Sequence, residues 1–178
     1  PKAEYSPAFK HDEKYSGKSS KEKLEAVLEQ MAPSADFLLI TLPENICWLF
    51  NIRAWDVKHT PLLFAYAIIS KSGNVQLFLE HQRLQEAEKL LPGVALLSLE
   101  EFKPRFAKLI SSGSNLQLDP GVCPYWCMEA TTRLDKFILK QDPCAELKAV
   151  KNSQEIQGIK QAFIHDGRAF CKLLCWLE

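Results

Sequence analysis

The sequence has no surplus of either charge. Its 178 residues carry 22 Lys and Arg against 22 Asp and Glu, a formal net charge of zero. A nucleic-acid-binding face ordinarily shows as a basic excess or a basic stripe, and neither stands out, so nucleic acid is not expected as a partner. Apolar runs of the roughly 20 residues that span a bilayer are also missing. Residues 62–69 form one of the longest apolar runs, and residues 1–20 are polar with no apolar stretch of the signal-peptide kind. No membrane partner is expected. The seven glycines are isolated, which excludes a Gly-rich phosphate loop, and no G-x-S-x-G elbow occurs. His11, His59, His81 and His165 stand alone, without H-x-x-x-H or H-E-x-x-H spacing. His165 is therefore expected to be a surface or packing residue.

What is present is globular. Hydrophobic residues make up 47% and charged residues 25%, which suits one domain with a real core. The six cysteines are Cys47, Cys123, Cys127, Cys144, Cys171 and Cys175. With no secretion signal, they read as reduced thiols of a soluble, cytoplasmic protein. Cys123/Cys127 and Cys171/Cys175 are spaced i,i+4. Zinc sites favour a C-x-x-C knuckle with two further ligands, and no His lies close by in sequence, so buried thiols are expected and no metal site. The chain opens on Pro1 and stops inside an apolar pattern at Trp176-Leu177-Glu178, which reads as a piece of something longer.

Along the chain, residues 1–18 carry Pro1, Pro7, Gly17 and many charges with little periodicity, and read as a linker. Ser19-Ser20-Lys21-Glu22 fits a capping box, opening a helix whose apolar face is Leu24, Val27, Leu28 and Met31 and which Pro33 stops. Strand-like runs follow at 36–41, 46–50 and 62–70. Lys71-Ser72-Gly73-Asn74 turns the last of these into 75–79 as a hairpin. Helices are expected over 81–91, 99–110 (loosened at Pro104) and 124–133, and strands over 94–97, 115–119 and 136–139. The alternation predicts an α/β layer with a mixed β-sheet flanked by helices. Asn152-Ser153-Gln154-Glu155 is a second capping box. It opens a long C-terminal helix with Ile156, Ile159, Phe163, Phe170, Leu173, Leu174 and Leu177 at helical spacing. That helix either covers this sheet, pairs with a second copy, or belongs to a neighbouring domain.

Ile46-Cys47-Trp48-Leu49-Phe50-Asn51-Ile52-Arg53, continuing Ala54-Trp55-Asp56-Val57 to Pro61 and Phe64-Ala65-Tyr66-Ala67, resembles the middle domain of the large three-domain Xaa-Pro aminopeptidases (aminopeptidase P, of the creatinase/prolidase metallopeptidases). Upstream, residues 15–24 resemble the junction between that family's first and middle domains. Downstream, Lys148-Ala149-Val150-Lys151-Asn152, Ile164-His165-Asp166-Gly167 and Trp176-Leu177-Glu178 resemble the opening of its catalytic domain. The chain departs from the family at Ala54, usually Gly, at Trp55, usually small, and at His59-Thr60 before Pro61, where Asn is commoner. The resemblance implies a creatinase/prolidase N-terminal-like fold with a ribonuclease-H-like motif. Residues 1–18 would be an interdomain linker, 19–149 the middle domain, and 150–178 the first helix of a pita-bread catalytic domain. In that catalytic domain two Asp, one His and two Glu would hold two divalent metal ions, usually manganese, and none of those ligands matches a residue here.

The function expected is a non-catalytic accessory domain of an enzyme that removes the residue preceding proline. Its partners would be the missing catalytic domain, a peptide with proline at the second position, and a homodimer mate. The alternative is a protein- or peptide-binding module of a catalytically dead relative. The candidate site residues are Asn51, Arg53 and Asp56, set in a loop between Trp48 and Trp55 that would face the substrate entrance or a subunit interface, where Arg53 could hold a carboxylate. A purely structural role is the competing reading, with Arg53 paired to Asp56 and Asn51 capping a turn. Asp36, Asp56, Asp119 and Asp135 are the acids a nuclease would need to cluster, and nothing in their spacing shows convergence.

Overall fold

The computed structural model describes residues 6–131 and 137–177. Its centre is a six-stranded mixed sheet in the order β6-β5-β4-β2-β7-β8, formed by β2 (Phe37–Ile40), β4 (Tyr66–Ser70), β5 (Val75–Leu79), β6 (Ala95–Ser98), β7 (Leu116–Leu118) and β8 (Phe137–Leu139). Only β4 runs against its neighbours: it is antiparallel to β2 and β5, whereas β5–β6, β2–β7 and β7–β8 are parallel. The chain thus builds outward from β2 through the β4–β5 hairpin to β6, then returns to the other side of β2 for β7 and β8. Gly73, at φ 87°, supplies the left-handed residue of the hairpin turn.

Strand periodicity sorts the core into two layers. Leu38 and Ile40 of β2, Ala67 and Ile69 of β4, and Val75, Leu77 and Leu79 of β5 face one side. Leu39, Ile68 and Phe78 face the other. The register agrees, placing Leu39 opposite Ile68 and Ala67 opposite Leu77. The first layer is closed by α2 (Ser20–Gln30), α3 (Pro43–Leu49), α4 (Leu84–Leu90) and α7 (Pro143–Ala149). The second is closed by α5 (Phe102–Ser111) and α6 (Tyr125–Thr131). Here Phe102 stacks on Tyr66 at 4.6 Å between centroids and meets Phe78 and Trp126 edge-on at 5.1 and 5.7 Å.

Both capping boxes form. Ser19 and Glu22 exchange bonds at the start of α2, and Asn152 and Glu155 do so at the start of α8 (Ser153–Leu177). Three readings need correction. The run 46–50 lies mostly in helix α3, not in a strand: Pro43 sits in its first turn and Phe50 N donates to Ile46 O. A short apolar run does not distinguish the two by itself. Residues 62–65 precede the strand, which begins at Tyr66. Helix α7 was not anticipated, although Asp142 caps it and Pro143 opens it. Within 1–18, β1 (Phe9–Lys10) pairs with β3 (Ile52–Arg53), and α1 (Glu13–Ser16) ends at Gly17. Pro104 falls in the first turn of α5, where a missing N–H costs little.

Candidate functional site

Helix α3 ends at Phe50, and the chain turns through Asn51 in the left-handed region at φ 50°. A non-glycine residue there needs outside support. It comes from both ends of the amide: Asn51 Oδ1 accepts from Lys23 Nζ at 2.6 Å, and Nδ2 donates to Lys18 O at 2.8 Å. Asn51 therefore fastens the loop to the start of α2. Lys23 is the residue the sequence reading missed. Adjacent to Leu24 on an amphipathic helix it reads as solvent-facing, yet it is 2% exposed. Its ammonium also donates to Trp48 O at 2.9 Å and stands 4.9 Å from the centre of the Trp48 ring. Burial lowers its pKa to about 8, with Glu155 opposing and Arg53 adding to the shift.

Arg53 is half-buried and turns inward, donating to the carbonyls of Cys47 and Ile52. Burial lowers its pKa, as it does that of His11, which also feels Arg53 and Lys23. The expected Arg53–Asp56 pair does not form. Arg83 takes the Asp56 carboxylate instead, through Nη1 to Oδ2 at 2.7 Å and a second bond from Nη2 to Oδ1. These side chains are 3% and 1% exposed. Asp56 Oδ2 also accepts from Phe64 N at 2.9 Å, so this carboxylate closes the loop on itself and locks it to the start of α4. No spacing signal could have joined residues 27 positions apart. Asn51, Arg53 and Asp56 thus occupy one loop but engage different partners. Trp55, beside them, is exposed and packs on Phe9 at 6.1 Å.

A second feature lies at the carboxyl end of β2. Thr41, Pro43, Phe64, Tyr66, Leu99 and Pro124 enclose a cleft of 280 Å³. Thr41 Oγ1, in its wall, donates to Val122 O at 3.2 Å. Crevices at such strand ends, where strand order reverses, are where open α/β sheets usually take ligands.

The third feature is the root of α8. Gly17, at φ 69°, lies so close to Asn152 that a Cβ would stand 2.5 Å from Oδ1. Asn152 Nδ2 donates to Ser16 O at 2.8 Å. The end of α1 and the start of α8 are therefore clasped together. Beyond that clasp no side chain of α8 is buried, and Phe163 is 70% exposed. His165 is exposed as expected. Among the described residues, no three His, Cys, Asp or Glu side chains converge as a metal site, so those residues do not fit a divalent metal pair. Asp36 accepts from Asn115 N, Asp119 from Gly121 N and Asp142 N, and Asp56 pairs with Arg83, while Asp135 lies outside the described residues. Among the described residues, no helix is long and apolar enough to cross a membrane.

The family model of the Creatinase/Prolidase N-terminal domain matches residues 1–155, and the chain belongs to that family. A probable Xaa-Pro aminopeptidase P of Coprinopsis cinerea is 32% identical over 191 residues, covering 97% of this chain and 30% of the relative. Xaa-Pro aminopeptidase 1 of Dictyostelium discoideum is 31% identical over 172 residues, covering 94% of this chain and 27% of the relative. Among solved structures, the Caenorhabditis elegans X-prolyl aminopeptidase, described as a cytosolic enzyme with a di-nuclear active site, superposes with a TM-score of 0.88 at 22% identity, covering all of this chain and 30% of the other. A Bacillus anthracis Xaa-Pro dipeptidase gives 0.66 at 19% identity, over 89% of this chain and 44% of that one. The chain thus spans under a third of the length of the curated relatives it matches.

Proposed function

We propose that this chain is the accessory, non-catalytic part of a metal-dependent Xaa-Pro aminopeptidase. Residues 1–18 link it to a preceding domain, 19–149 form the middle domain, and 150–178 begin the catalytic domain. The observation that carries this reading is α8. Its 25 residues hold no buried side chain, yet Ile156, Ile159, Phe163, Phe170, Leu173, Leu174 and Leu177 fall within one stripe of about 100° at helical spacing. Apolar patches of that kind mark a surface awaiting a partner. The stripe docks on the catalytic portion that the longer relatives carry, and in its absence pairs with a second copy of this chain. The clasp of Gly17, Ser16 and Asn152 fixes the direction in which α8 leaves the domain.

The chemistry belongs to the remaining length, where two divalent ions, manganese by family resemblance, act on a peptide with proline at its second position. Loop 50–65 shapes the substrate entrance or a subunit interface. Asn51, Arg53 and Asp56 anchor it from within, and Trp55 stands at its outer side. A cytoplasmic setting agrees with six cysteines that are all free. The test assays the purified chain on an Xaa-Pro peptide with added manganese and measures bound metal on the same sample. Neither cleavage nor stoichiometric metal is expected, and metal-dependent cleavage would overturn the reading.

A further inference from the structure

One charged residue lies inside the apolar stripe of α8. At about 100° of rotation per residue, Asp166 falls on that stripe, between Ile159 and Leu173. Ile156, Phe163, Phe170 and Leu177 form one line at seven-residue spacing, and Ile159, Asp166 and Leu173 form the second. Two such lines are the a and d positions of a helix that packs along its length on a partner. A carboxylate therefore stands where the second line calls for its middle apolar side chain. Nothing on α8 compensates this charge. The neighbours three and four positions away, Ala162, Phe163, Ala169 and Phe170, are all apolar. The cations of the helix, Lys160, Arg168 and Lys172, lie off the stripe, and His165 points about 100° away from Asp166. Among the described residues Asp166 makes no ion pair or side-chain hydrogen bond, and it is exposed. Water solvates it only while the stripe is uncovered. A carboxylate buried without a counter-charge is strongly unfavourable, so whatever covers the stripe must answer it.

We propose that α8 docks through an ion pair: its partner is an apolar surface that sets one Arg or Lys against Asp166. This rests on the reading of the stripe as the face that meets the catalytic portion, and it adds the chemistry of the counterpart. An Arg would meet both carboxylate oxygens at once. Gly167 leaves the approach open, since a Cβ there would have nothing within 4 Å. The pair also sets register. Apolar lines of equal spacing can slide past each other by one repeat, whereas a single charge has a single matching position. A second copy of this chain is the weaker match. Its stripe carries no Lys or Arg, so self-pairing sets Asp166 against apolar side chains or against another carboxylate.

The experiment titrates this chain into labelled helical peptides, each with Leu at every a and d position except a central d position that carries Arg, Leu or Glu. Fluorescence anisotropy reads binding at peptide concentrations too low for the peptides to pair with themselves. The unaltered chain should bind the Arg peptide most tightly, at least about tenfold better than the Glu peptide. Asp166→Leu should reverse the order, so that the Leu peptide binds best. The same substitution should strengthen self-association about tenfold in sedimentation, because it completes the second apolar line. Equal binding of all the peptides, or tightest binding of the Leu peptide by the unaltered chain, would overturn the ion pair and leave the apolar stripe standing. Binding of none, with no self-association of Asp166→Leu, would overturn both. The ranking on the unaltered chain decides the matter even where a variant fails to fold.

Discussion

Removing Asp56 alone should be among the most damaging single changes in this chain. Its carboxylate sits against Arg83 with side chains 1% and 3% exposed, and it also receives Phe64 N. Asp56→Ala takes the Asp56 carboxylate away from a buried guanidinium and orphans a backbone donor. Loss of one partner of such a buried pair costs about 3–5 kcal/mol. For a domain of this size each kcal/mol moves the midpoint by about 2–4 °C, so Tm should fall by about 10 °C. Arg83→Met in the same background removes the buried charge, and the double variant should recover about 2 kcal/mol relative to the sum of the singles. Urea unfolding followed by tryptophan fluorescence measures all four proteins. A loss below about 1 kcal/mol for Asp56→Ala, the range of exposed pairs, would refute the claim that this pair locks the loop.

Other perturbations test the remaining features. Lys23 has a folded pKa of about 8 against an unfolded 10.5, so above pH 8 the unfolded chain binds more protons. Stability should then rise with pH between those values, by at most about 3 kcal/mol, and Lys23→Met should flatten the rise in denaturation curves at fixed pH. Gly17→Ala places a Cβ against Asn152 at positive φ and should cost about 2–3 kcal/mol with faster amide exchange at the start of α8. Gly93→Ala, at φ 84° with nothing near, should cost only about 1 kcal/mol by thermal unfolding. Phe163→Glu with Leu174→Glu should change stability of this chain by under about 0.5 kcal/mol, because neither residue is buried. The same pair should abolish concentration-dependent self-association in light scattering. Association unchanged by these substitutions would count against the stripe.

The helices and strands with strong local signals were legible because each signal acts over a few residues. Ser19–Glu22 and Asn152–Glu155 satisfy each other's backbone donors within one turn. The alternation of residues 66–70 and 75–79 matched a hairpin whose two faces are both buried. Helix α3 was obscured because Ile46, Cys47 and Leu49 are all buried, which leaves an apolar run without a polar face to reveal its period. Strand β1 was hidden for a different reason: its partner, Ile52–Arg53, is more than 40 residues away.

Composition and local pattern determined the α/β class, the mixed sheet, the long last helix and its apolar stripe, since these follow from periodicity and capping within short windows. Tertiary structure alone decided what the candidate residues touch. Asp56 chose Arg83 over the nearby Arg53, and Lys23 left the solvent for Trp48 and Asn51. Gly17 met Asn152 across 135 positions of sequence, the difference between 152 and 17. Such choices turn on which polar groups lose water together when the layers close, and no window of sequence contains both members of those pairs.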